Sequence, residues 1–303
     1  MIVGIGANVY DTLITLSDFP EEDTKMRADG VKISGGGPCA TALCAAAHLG
    51  AKAAYIGVLS EDSCGEFLLS DMAKYGLDNR FVKKVSGCSA FTSCIWLNRK
   101  NATRTCVFHK GTLPPLTLSD TQKKAVADAD ILMVDGNELD AAVTAAKTAR
   151  QNNTTVLYDA GGLYDGVERL LPLADILIPS AEFAMRYTGQ KDIESAAQAL
   201  FEQYRPRVVV VTDGKNGGCL SNRDGLRRYA AFKVDAVDTN GAGDVFHGAF
   251  AFGLEKGYSY DRCCRFASAV SALKCTKVGA RESVPTLDEV KQFVKERGID
   301  ATL

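Results

Sequence analysis

Asp238-Thr239-Asn240-Gly241-Ala242-Gly243-Asp244, followed by Val245-Phe246-His247-Gly248-Ala249-Phe250-Ala251, is the stretch that decides the fold. Gly241 and Gly243 carry no Cβ, so the backbone can approach a ligand closely. Val245, Phe246, Ala249, Phe250 and Phe252 then recur at helical spacing. The N–H groups of Gly241, Ala242 and Gly243 are therefore expected to open a helix and to form an anion site. Asp244 stands at the mouth of that site. An anion hole beside a carboxylate is what phosphoryl transfer to a hydroxyl needs: the hole takes the charge of the moving group, and the carboxylate takes the proton. A glycine turn alone is a weak signal, and an acidic residue in a first helical turn often only complements the helix dipole.

Outward from this turn, short apolar runs alternate with helical patterns, which predicts an α/β fold with a mostly parallel sheet. Strands are expected at 2–6, 53–58, 131–135, 156–159, 176–179 and 208–212, and helices at 38–49, 66–75, 141–151, 194–204, 242–256, 262–275 and 287–296. Pro38 suits the first position of its helix, and Thr286 with Glu289 makes a capping box. Two β-type stretches, about 12–33 and 90–108, interrupt the alternation. Within the second, Phe91–Leu97 and Thr103–Phe108 flank the hairpin-like turn Asn98-Arg99-Lys100-Asn101-Ala102.

The chain has 303 residues, 46% of them hydrophobic, and a net charge of −2 with no dense basic run. Nucleic acid and anionic membrane are not implied as partners. No apolar segment approaches the roughly 18 residues of a membrane span. The start reads as a buried strand rather than a signal peptide. Ten scattered cysteines without a CxxC lack zinc-ligand spacing and suit reduced thiols, hence an expected cytoplasmic location. The Walker motif GxxxxGK[ST], HExxH and a GxGxxG after the first strand are all absent, which sets aside P-loop kinases, simple metalloproteases and dinucleotide-binding dehydrogenases.

The segment 238–244, with Gly35-Gly36-Gly37-Pro38 and Gly57-Val58-Leu59-Ser60-Glu61-Asp62-Ser63-Cys64-Gly65, resembles the PfkB (ribokinase-like) carbohydrate kinase family over nearly the whole chain. The resemblance implies a ribokinase-like three-layer sandwich over 1–303, with a mostly parallel central sheet. Segments 12–33 and 90–108 would form a small β-sheet lid that also pairs a homodimer. It implies ATP and Mg²⁺, and K⁺ as a further ion. Asp244 resembles the catalytic base, and Gly241, Ala242 and Gly243 the anion hole. Asp11, Gly35, Gly36, Gly37, Lys25 and Arg104 are the substrate-side candidates. Thr212, Gly214, Gly217 and Ala272 are the nucleotide-side candidates. Asp238, Thr239 and Ser283 are candidates for the monovalent-ion site, and Glu182 for Mg²⁺. The chain departs from the family's Asn-x-x-Glu motif, because Pro179-Ser180-Ala181-Glu182 puts Ser180 at the Asn place. It also has no Asn after Gly37-Pro38, which disfavours ribose and purine nucleosides.

Ala231-Phe232-Lys233-Val234-Asp235 and Ala272-Leu273-Lys274-Cys275-Thr276 are similar to ketose and sulfofructose kinase-type members. Gly136-Asn137-Glu138 lacks the Arg that a sulfonated sugar would need, which favours a neutral ketohexose. The expectation is an ATP-dependent sugar kinase. Its rivals are a nucleoside kinase and a catalytically silent sugar-binding sensor. His109 and His247 are read as structural residues.

Overall fold

The central strands are buried on both faces, so their sequences are continuous apolar runs rather than alternating ones. The structure, a computed structural model, describes residues 1–100 and 103–298. In chain order the elements are β1 (Ile2–Ile5), β2 (Val9–Leu16), β3 (Gly30–Gly36), α1 (Pro38–His48), β4 (Ala53–Ser60), α2 (Ser63–Lys74), β5 (Asp78–Val85), β6 (Thr92–Asn98) and β7 (Thr103–His109). Then come α3 (Asp120–Ala127), β8 (Ile131–Val134), α4 (Leu139–Gln151), β9 (Thr155–Ala160), β10 (Ile176–Pro179), α5 (Ala181–Thr188), α6 (Ile193–Tyr204) and β11 (Val208–Thr212). The chain closes with β12 (Gly218–Asn222), β13 (Gly225–Tyr229), α7 (Ala242–Glu255), α8 (Tyr260–Lys274) and α9 (Leu287–Lys295).

Among the described residues, nine strands form one sheet in the order β13-β12-β11-β10-β9-β8-β1-β4-β5. It is parallel except where β12 pairs with β11 and β13. Parity divides its residues between two cores. Val208 and Val210 pack with α1, α7, α8 and α9 on one face, and Val209 and Val211 pack with α3 to α6 on the other. This is the expected three-layer sandwich.

A second sheet, β3-β2-β6-β7, forms the lid, with β2 and β6 parallel. It starts earlier than expected, at Val9 rather than residue 12, and runs on to Gly36 and His109. Asp11 therefore lies within lid strand β2, not on a turn after β1. Of the hairpin turn, Asn101 and Ala102 lie outside the described residues.

Sequence periodicity did not reveal β5, β12, β13, α3 or α5. Strand β5, with the sequence DNRFVKKV, is a charged sheet edge with no fully buried residue, so it lacks the apolar run of a central strand. Helices α3 and α5 have only eight residues each.

Helix starts are tied across the sheet. Pro38 opens α1, and the Cys39 and Ala40 N–H groups donate to Asp135 Oδ2 (3.1 Å) and the Ala7 carbonyl (3.2 Å). The Thr286–Glu289 capping box is present on α9. Gly248 lets α7 lie against α1: a Cβ there would fall 2.0 Å from the Ala42 carbonyl oxygen. This contact fixes the height of the turn that begins α7. No helix among the described residues is long and apolar enough to cross a membrane.

Candidate active site

Parallel strands direct their carboxyl ends to one side of the sheet, and the site sits there, beneath the lid. A cavity of about 460 Å³ is lined from the lid by Asp11, Phe91, Ser93, Ile95, Arg104, Cys106 and Phe108. From the end of β3, the large sheet, α7 and the connecting loops it receives Gly36, Gly37, Asn137, Asp159, Tyr164, Ser180, Thr212, Gly241, Gly243, Asp244 and Ala280. A second cavity of about 520 Å³ adjoins it, lined by Thr212, Gly214, Gly217, Thr239, Ala242, Gly243, Phe246 and Ala272. Thr212 and Gly243 belong to both. A larger concavity of about 680 Å³ is lined by Arg228, Lys233, Arg265 and Arg297 but contains none of the glycine turn.

Gly241 is the N-cap of α7, with a left-handed φ of 75° that only glycine adopts readily. Ala242 does not complete the anion hole as expected. Its N–H closes the turn onto the Thr239 carbonyl at 3.2 Å. No protein acceptor takes the N–H of Gly241, Gly243 or Asp244 among the described residues. The available donors therefore come from Gly241, Gly243 and Asp244, with Asp244 in the place expected of Ala242.

Gly243 is glycine for access and not for strain, since a Cβ there meets nothing within 4 Å and points into open space. Gly243→Val should leave the circular dichroism spectrum unchanged and lower kcat/KM by roughly 10²-fold or more, by filling the junction of the two cavities. Kinetics equal to wild type would show that nothing reacts there.

Burial raises the pKa of Asp244, opposed first by His247 and then by Arg104. A carboxylate so shifted is a better proton acceptor than an ordinary one. His247 is buried, with Nδ1 2.6 Å from the Gly243 carbonyl and Nε2 3.0 Å from the Ile178 carbonyl. It fixes the turn to β10. Nε2 also lies 3.3 Å from Asp159 Oδ1, while Asp159 Oδ2 is buried without a partner. Burial lifts Asp159 to about 7.

Asp11 accepts from Ser93 Oγ at 2.6 Å, and its pKa rises to about 6, chiefly through burial. Gly36 is required beside it, because a Cβ would fall 1.9 Å from Asp11 Oδ2. Gly35 is a close-packing position. Its missing Cβ makes room for Asp71 and the fully buried Arg281, which bonds Asp71 Oδ2 (3.0 Å) and Asn8 Oδ1 (2.8 Å).

Lys25 is exposed and lines neither cavity. Glu182 is turned to solvent and paired with Arg186 at 2.9 Å, away from the site. Ser180 caps α5 by accepting from the Phe183 N–H. Asp238 and Ser283 are buried beneath the turn: Asp238 accepts from the Asn240 and Gly279 N–H groups, and Ser283 Oγ donates to the Gly279 carbonyl. Asp135, Asp159, Lys274 and Arg281 escaped the sequence reading. For Asp135 and Asp159 a signal existed, since each was the last residue of an expected strand, where an open α/β sheet places its site.

The model of the pfkB family of carbohydrate kinases matches residues 2–287. The chain belongs to that family. It is an ATP-dependent carbohydrate kinase. Ribokinase of Haemophilus influenzae is 28% identical over 299 residues, covering 96% of this chain and 97% of that protein. ATP-dependent ribose-1-phosphate kinase of Halopiger xanaduensis is 27% identical, covering 98% of each. Among solved structures, Arabidopsis thaliana ribokinase complexed with ribose and ATP superimposes with a TM-score of 0.86 at 25% identity, covering 97% of this chain and 98% of that one.

Proposed function

We propose that the pfkB kinase described here, acting as one unit over 1–303, transfers the γ-phosphate of ATP to a hydroxyl of a small neutral sugar, a ketohexose. The observation that carries this reading is the position of Asp244. It sits beside the unpaired N–H groups of Gly241 and Gly243, where the 460 Å³ and 520 Å³ cavities meet. The sugar occupies the lid-side cavity, with two hydroxyls donating to Asp11. ATP occupies the other, its adenine end near Ala272 and its phosphates toward Thr212, Gly214 and Gly217. Asp244 accepts the hydroxyl proton as the oxygen attacks in line, and the turn's N–H groups take the charge on the transferred phosphoryl. Arg104 lines the lid side of the same cavity and suits the same anion.

Mg²⁺ comes with the nucleotide and neutralises phosphate charge. The unpartnered Asp159 Oδ2 at the cavity wall fits a hydrated ion, and Glu182 does not. K⁺ has no place in this reading, because the Lys274 ammonium already sits on the Asp238 carbonyl at 2.9 Å. The reading keeps a homodimer through the lid. Register puts Val31 and Val107, 65% and 63% exposed, on the lid face turned from the cavity.

A nucleoside acceptor is the second reading. Phe91 and Phe108, with ring centroids 5.8 Å apart, line the lid-side cavity and offer apolar surface to a base. ADP release measured over ketohexoses, ribose, ribose 1-phosphate, inosine and adenosine separates the readings. A ketohexose should give the highest kcat/KM, a nucleoside in that place would establish the second reading, and no turnover with any acceptor would sink both.

A further inference from the structure

Lys274 ends α8 with its side chain wholly buried. A lysine is almost never fully buried without a specific partner. Its ammonium donates to the Asp238 carbonyl at 2.9 Å, directly before the glycine turn. Burial pulls its pKa down from the ordinary lysine value; Asp238, Cys275 and Asp244 act in favour of the cation, and Arg104 opposes it.

The oxygens that the resemblance assigned to a cation site already take part in protein hydrogen bonds. Asp238 Oδ1 accepts from the Asn240 N–H at 2.8 Å, and Oδ2 from the Gly279 N–H at 2.9 Å. The Thr239 carbonyl accepts from Ala242 at 3.2 Å. Ser283 Oγ turns its proton to the Gly279 carbonyl. The Lys274 ammonium already occupies the Asp238 carbonyl at the start of the turn, and a second cation beside it meets like-charge repulsion. The residues present therefore do not fit the ion that the resemblance implied.

We propose that Lys274 is a tethered monovalent cation: its ammonium replaces K⁺ beneath the Asp238–Asp244 turn, so the enzyme works without a monovalent metal. The charge sits on the carbonyl of the residue that begins the turn. By holding that peptide, together with the two N–H bonds to the Asp238 carboxylate, it keeps the Gly241 and Gly243 N–H groups aimed at the phosphoryl site. Lys274 is thus a positioning residue. Its effect belongs to kcat, since oriented donors act on the transition state, and much less to KM.

The test compares wild type and Lys274→Met in K⁺, Na⁺, NH₄⁺ and tetramethylammonium at matched ionic strength. Wild-type kcat should agree within about twofold across all four ions, whereas Lys274→Met should lose roughly 10-fold to 10²-fold in tetramethylammonium and regain a large part in K⁺ or NH₄⁺. Created ion dependence is something a merely structural lysine would not give. Wild-type stimulation by K⁺ beyond about fivefold, or a variant indifferent to all four ions with full kcat, overturns the proposal.

The kinetic arm rests on the kinase reading, and a second readout does not. The wild-type thermal midpoint should be the same in K⁺ as in tetramethylammonium, and a K⁺-specific rise would contradict the proposal even without an identified sugar. Should Lys274→Met fail to fold, the wild-type rates and midpoints decide alone.

Discussion

Asp244→Asn is expected to lower kcat by roughly 10²-fold to 10⁴-fold while ATP still binds. The substitution keeps the shape at the start of α7 and removes the proton acceptor. The environment argues for a large effect. Burial raises the Asp244 pKa, with His247 and Arg104 as the opposing charges. No side chain donates a hydrogen bond to this carboxylate among the described residues, so it is not committed to holding the fold. Steady-state kinetics with calorimetric titration of ATP checks both halves. More than half of wild-type kcat would remove Asp244 from the chemistry. Loss of ATP binding together with activity would make it a structural residue of the turn.

Asp11→Ala is expected to weaken sugar binding by about 2–4 kcal/mol, because two hydroxyls lose charge-assisted partners. ATP affinity should stay within about twofold, since Asp11 lines the lid-side cavity and not the other. The pKa of about 6 adds a pH signature. Above that value the carboxylate is charged and accepts both hydroxyls; below it the group is protonated and accepts poorly. Sugar KM should therefore rise as pH falls through about 6, and Asp11→Asn should lose that dependence. Sugar and ATP affinities falling together would instead mark Asp11 as a residue that merely holds β2 to β6 through Ser93.

Much of the fold could be read because its strands and helices carry strong periodic patterns. The run Val208–Val211 reads as a doubly buried strand, and the apolar spacing after Asp244 reads as a helix. Boundaries shifted where a cap or a tertiary bond decides them. Helix α2 starts at Ser63 because Asp62 accepts from the Gly65 N–H, three residues before the apolar pattern begins. Asp11 was legible as a residue type and not as a position, because β2 follows β1 after only the three residues Gly6-Ala7-Asn8.

The glycine turn was legible as a site, yet the donor that drops out of it was not. Whether Ala242 or its neighbours face a ligand depends on one local bond to Thr239. Lys274 and Arg281 were illegible for another reason. A lysine at a helix end and an arginine in a loop are ordinarily solvated, and only the fold buries them.

The central claim is that the protein passes phosphate from ATP to a sugar hydroxyl across the Asp244 junction, and ³¹P NMR of one reaction mixture tests it most directly. Wild-type enzyme with MgATP and a ketohexose should convert the γ-phosphate signal into a phosphate-ester signal, mole for mole with the ADP formed. Asp244→Asn should leave the spectrum unchanged over the same time. ADP appearing with inorganic phosphate and no ester, or an ester formed equally fast by Asp244→Asn, would contradict the account.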